Sequence, residues 1–221
     1  MKLFKNIKNW LENQEHLFYL FLFILIVPNM VLCFTEPLPF MAKVANVLLP
    51  FGCYYLLMTL SRNCGKMLWI LFLFLFFGAF QIVLLYLFGQ SIIAVDMFLN
   101  LVTTNSSEAL ELLDNLTPAI IAVIILYVPA LILGTISIIR KRKLTVEFIR
   151  RERKRAFLVF GISLLSLVGA YVQDSGYELK SDLYPLNVCY NVGLAFQRTA
   201  LTQDYHLSLI HISEPTRLAL I

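Results

Sequence analysis

Long apolar runs alternate with short polar breaks along the chain, and the lengths of those runs predict five membrane-crossing helices. Span one runs from Leu17 to Phe34, span two from Val44 to Leu60, span three from Met67 to Phe88, span four from Pro118 to Ile139 and span five from Ala156 to Val172. A crossing helix needs about 20 predominantly apolar residues. Span three meets this most plainly, with Gln81 its only strongly polar residue. Pro28 predicts a kink in span one, and Pro50 with Gly52 a bend in span two, both tolerated in membrane helices. Thr35–Phe40, with two prolines, reads as a turn, and Ser61–Lys66 as a tight loop. Ahead of span one, Phe4, Ile7, Trp10 and Leu11 recur at helical spacing among Lys2, Lys5 and Lys8. That pattern predicts a short amphipathic helix over Met1–His16, lying on the membrane surface.

Composition agrees with the pattern. Of the 221 residues, 59% are hydrophobic and 14% charged. Mean hydropathy is +0.77. Soluble domains are closer to 45–50% apolar and about 25% charged, so the expected class is an all-α integral membrane protein.

The net charge of +4 is unevenly placed, for nine of the 18 Lys and Arg residues fall between Arg140 and Arg155. A run like this between two spans reads as a cytoplasmic loop rather than a nucleic-acid site. Lys2, Lys5, Lys8, Arg62 and Lys66 mark the same side and alternate correctly with five spans. The N-terminus is therefore expected inside and everything after span five outside. Cys33, Cys53, Cys64 and Cys189 form no CxxC pair and read as small apolar fillers rather than a zinc or disulfide framework.

The polar stretch from Ile92 to Thr117, between spans three and four, carries the candidate chemistry. Asp96 and Asn100 are four residues apart, on one helical face at the outer end of span three. Thr104, Asn105 and Glu108 follow closely. Asn105-Ser106-Ser107-Glu108 fits a capping box. Beyond it, Ala109, Leu110, Leu113, Leu116 and Ile120 keep one face apolar, with Glu108, Glu111 and Asn115 opposite. The structural reading is a short amphipathic helix, on the periplasmic side, that feeds span four. The functional reading starts from the cost of ionisable groups at membrane depth, which places them against a partner or a wet cavity. Carboxylates at the outer headgroup level suit the ammonium of a zwitterionic lipid, and Asn and Thr suit its phosphate or glycerol.

These residues resemble the segment between the third and fourth spans of bacterial lipid A phosphoethanolamine transferases, which include the mobile colistin (polymyxin) resistance enzymes. That pattern has an Asp, an Asn a turn later, then Thr-Asn, two residues and Glu-Ala. Asp96, Asn100, Thr104, Asn105, Glu108 and Ala109 fill it. The five spans, the basic run between the last two and Tyr184-Pro185-Leu186-Asn187 are also similar to the family. The resemblance implies residence in the bacterial inner membrane. It implies phosphatidylethanolamine as donor, lipid A as acceptor, and a donor-binding role for Asp96, Asn100, Thr104, Asn105 and Glu108. It also implies an outer α/β domain of the alkaline phosphatase and sulfatase type, with a zinc-bound threonine nucleophile. No part of this chain corresponds to that domain, so neither the nucleophile nor a zinc or other cofactor site is expected here. Thr103 and Thr104 lack an activating partner and do not take that role.

The expected organisation is a membrane domain over residues 1–172 and a periplasmic linker over 173–206. Residues 207–221, LSLIHISEPTRLALI, reverse-translate to a sequencing-library adapter. They are expected to be read-through, with the natural chain continuing past His206 into the catalytic domain, and this part alone inactive. Other readings are a non-catalytic membrane adaptor docking through the basic run, a small transporter subunit, or a related transferase that moves phosphoglycerol.

Overall fold

The structure, a computed structural model, describes residues 10–88 and 106–213. All regular structure there is helical. Helix α1 spans Gln14–Thr35, α2 Phe40–Met58, α3 Cys64–Ile70, α4 Phe72–Phe88, α5 Ser106–Ile139, α6 Val146–Gln173, α7 Leu179–Asp182 and α8 Leu186–Ser213. Among the described residues, four helices are long and apolar enough to cross a membrane, and a fifth if the bent pair α3 and α4 counts as one span. The result is a multi-pass helical membrane protein. Helices α5 and α6 show the surface such a protein needs: Ile121, Ile125 and Ile132 on one, Phe157, Leu165 and Val172 on the other, all exposed. In water, patches of that extent would drive association.

Of the four unbroken spans, α1 is the most enclosed. Its Leu17, Phe18, Phe21 and Leu25 meet Tyr55 and Met58 of α2, Leu68 of α3 and Phe148 of α6 in the main core. Asn13 caps it, its side chain accepting from the Glu15 N–H at 2.9 Å.

Helices α2 and α6 run antiparallel along a seam of small residues. On α2 the seam includes Ala42, Ala45 and Gly52; on α6 it includes Ala156, Ser163 and Ala170, spaced by sevens. Small residues let membrane helices approach closely, where dispersion replaces the absent hydrophobic drive. A Cβ on Gly52 would sit 3.1 Å from the Phe160 Cα and 3.3 Å from the Ser163 hydroxyl. The contact of α3 with α5 is closer still, since a Cβ on Gly65 would run into the Gly134 carbonyl.

Several expectations need correction. Span three is not one straight helix from Met67. Helix α3 starts at Cys64, inside the expected loop, and the chain bends by 63° between α3 and α4. No proline or glycine lies between Lys66 and Phe77 to mark the bend. Both arms pack on α5, and α4 reaches α1 as well. Asn63 caps α3, and Gly65 and Trp69 pin it to α5, the indole N–H donating to the Thr135 hydroxyl at 3.1 Å. Gly78 of α4 faces the Tyr127 hydroxyl of α5, Pro28 of α1 and the Tyr184 hydroxyl.

The basic run is only partly a loop. Helix α6 begins at Val146, capped by the Thr145 side chain, so Arg150 to Arg155 are helical. The short helix expected ahead of span four is no separate element, because the backbone is helical without a break from Ser106 to Ile139. Its amphipathic character depends on side chains outside the described part. Most of the amphipathic helix expected at the N-terminus also falls outside the described residues, which begin at Trp10. Part of the segment expected as a linker packs on the bundle. Tyr177, Tyr184 and Val188 are buried against the bundle.

Candidate functional site

Of the residues singled out for donor binding, Asp96, Asn100, Thr104 and Asn105 lie outside the described residues. Glu108 is on the first turn of α5, with its side chain outside the described part. The described polar chemistry gathers instead at the two ends of the bundle.

One end carries the basic run. The Arg62 Nε donates to the Leu144 carbonyl at 3.1 Å, and the Leu144 N–H returns a bond to the Arg62 carbonyl at 2.7 Å. This ties the α2–α3 connection to the one between α5 and α6. The Asn63 amide adds bonds to the Ser137 and Arg142 carbonyls at 3.2 and 2.9 Å. Nearly two turns into α6, Glu152 is wholly buried. Its carboxylate accepts from the Arg151 Nε at 3.0 Å, the Arg155 Nη1 at 2.9 Å and the Tyr55 hydroxyl at 2.5 Å. Each arginine is more than half exposed, so the charge is inside and its counter-charges reach water. A buried carboxylate is tolerated only with such partners.

The other end is held by neutral groups. The Asn29 amide, in α1, donates to the Asn46 carbonyl at 2.9 Å and the Tyr184 carbonyl at 2.7 Å. The Asn46 amide, in α2, donates to the Asp182 carbonyl at 2.6 Å and accepts from the Tyr177 hydroxyl at 2.5 Å. Burial, followed by the charge of Asp182, raises the Tyr177 pKa above its usual value and keeps the phenol a donor. The Gln173 side chain accepts from the Met41 N–H at 2.8 Å. Two asparagines thus clamp residues 173–187 onto α1 and α2. Beside the clamp, the Tyr54 and Tyr127 hydroxyls and both side-chain polar atoms of Asn187 are buried with no protein partner among the described residues.

Sequence reasoning passed over Asn29, Asn46 and Glu152. The signal for the first two was available, since a lone amide inside an apolar span needs a partner. Glu152 was hidden among five cations. Among the described residues, neither end pairs a nucleophile with a base, and no three His, Cys, Asp or Glu side chains gather where a metal ion could sit.

The fold thus defines a class, the helical multi-pass membrane proteins. Compared with known proteins, the chain matches no family model, no curated protein and no solved structure.

Proposed function

We propose that this chain is the membrane domain of a phosphoethanolamine transferase, which moves phosphoethanolamine from phosphatidylethanolamine to lipid A at the outer face of a bacterial inner membrane. One observation carries the reading: the spacing of Asp96, Asn100, Thr104, Asn105, Glu108 and Ala109 between two predicted spans. In that role the Asp96 and Glu108 carboxylates pair with the donor's ammonium group. Asn100, Thr104 and Asn105 hydrogen-bond its phosphate and glycerol oxygens. Their work is to bind and orient the donor; bond breaking belongs to a catalytic domain outside this chain. The orientation follows the positive charges, with Arg140–Arg155 cytoplasmic and residues 92–117 and 173–206 periplasmic.

The test is Glu108→Ala in the protein carrying its catalytic domain. Transfer from phosphatidylethanolamine to lipid A should fall at least about tenfold, the scale of a lost charge-assisted contact, while the amount of protein in the membrane is unchanged. Wild-type transfer by that variant would remove the donor-binding assignment. A whole protein that transfers phosphoglycerol but no phosphoethanolamine would favour the related transferase.

A further inference from the structure

The first turns of α6 carry a stripe of cations along one exposed face. Arg150, Arg153, Lys154 and Phe157 follow one another at i, i+3, i+4 and i+7, so they share a helix face, and all four are exposed. Arg151 and Arg155, by contrast, are taken up by Glu152. Among the described residues, no carboxylate pairs with Arg150, Arg153 or Lys154. Glu147 stands near Arg150 and Lys154, one carboxylate against an excess of cations. Like charges at these spacings oppose the helix, and cations at a helix N-terminus oppose its dipole. An arrangement unfavourable on both counts is relieved by an anion from outside the chain.

The stripe also borders an apolar groove of about 260 Å³, lined by Leu56, Leu57, Thr59, Leu60, Arg153 and Phe157. Arg153 is fixed at its rim, the Nη2 donating to the Thr59 carbonyl at 2.8 Å. Leu60 and Phe157 are 67% and 61% exposed. Cations thus lead along one helix face into an apolar slot, the polarity profile of a phospholipid.

We propose that this groove binds an anionic phospholipid of the adjacent leaflet, with the headgroup phosphate on Arg150, Arg153 and Lys154 and an acyl chain along Leu56, Leu60 and Phe157. Charge complementarity selects the occupant. Basic clusters beside a membrane helix attract anionic lipids, and the slot gives the acyl chain a seat that a free anion does not use. The site lies at the opposite end of the bundle from residues 173–187 and does not depend on the transferase reading.

The full chain, purified in micelles of a zwitterionic detergent, would be titrated with phosphatidylglycerol, phosphatidylcholine or inorganic phosphate. Thermal unfolding and lipid retention in native mass spectrometry are the readouts. Phosphatidylglycerol should raise the unfolding temperature and remain bound, and the other two should do neither. Arg150→Gln with Lys154→Gln removes two cations that hold no structural partner, so the fold should survive. Affinity for phosphatidylglycerol should then fall roughly tenfold or more, on the scale of two basic residues at an anionic surface. Equal retention of phosphatidylcholine, or unchanged affinity in the double variant, would overturn the site. An equal effect of inorganic phosphate would overturn the lipid as its occupant.

Discussion

The two ends of the bundle solve one problem in different ways. Each must hold connecting chain against helix ends, where backbone groups lack intrahelical partners. At the basic end a buried carboxylate, Glu152, draws in two arginines and a tyrosine. At the other end Asn29 and Asn46 bond mostly to backbone carbonyls and carry no charge. The difference follows from access to water. The partners of Glu152 reach solvent through long, exposed side chains, so the ionised group stays close to a high dielectric. Asn29 and Asn46 lie inside spans with no such exit, and a neutral amide is the polar group that can be buried there at least expense.

The contrast makes the basic end the one that charge changes should break hardest. Arg151→Ala with Arg155→Ala leaves Glu152 buried with neutral tyrosine hydroxyls and no counter-charge on its own carboxylate. The expected loss is about 3 kcal/mol, the low end for stranding a buried charge, because some water can enter where the arginines stood. Glu152→Gln removes the charge and keeps the shape, and should cost closer to 1 kcal/mol. Unfolding followed by circular dichroism in micelles compares the two. If Glu152→Gln proves the more damaging, charge is not what organises this end.

Next in size is Asn46→Leu. It leaves the Tyr177 hydroxyl and the Asp182 carbonyl without their partner and should cost about 1–3 kcal/mol. Proteolysis between Gln173 and Leu186 should become faster in the same variant, and an unchanged cleavage rate would show that the clamp does not hold that segment. Gly65→Ala tests the α3–α5 crossing, where the added methyl meets backbone that cannot step aside. Overpacking of this kind costs about 1–3 kcal/mol. Smallest is Gly161→Ala, on the same helix as Glu152 but with nothing within 4 Å of the added atom. It should be neutral or stabilising by up to about 1 kcal/mol, which makes it the control for glycine substitution as such.

The spans were legible because a run of about 20 apolar residues has few other fates. Their ends were less so. Val146 to Arg155 looked like loop because charge dominates the stretch; its helix is announced only by Thr145 and Glu147, a capping residue and a first-turn carboxylate. The bend at Leu71 had no local mark at all, with neither proline nor glycine between Lys66 and Phe77. Glu152 and Asn46 were visible as letters but not as sites, since their partners come from 97 residues away for Tyr55 and 131 for Tyr177. Of the candidate donor site, the helix under Glu108 is what can be compared, and it is present from Ser106 onward.

The asparagine clamp changes how far a segment beyond the last span can wander. A flexible tether of 14 residues, the distance from Gln173 to Asn187, would let its far end roam over roughly 20 Å. Bonded to Asn29 and Asn46, the same stretch becomes a bracket fixed to two helices of the bundle. Whatever extends from α8 then starts its search for a partner from a fixed height and heading above the membrane. The local concentration it presents to molecules in that plane is set by two amide side chains.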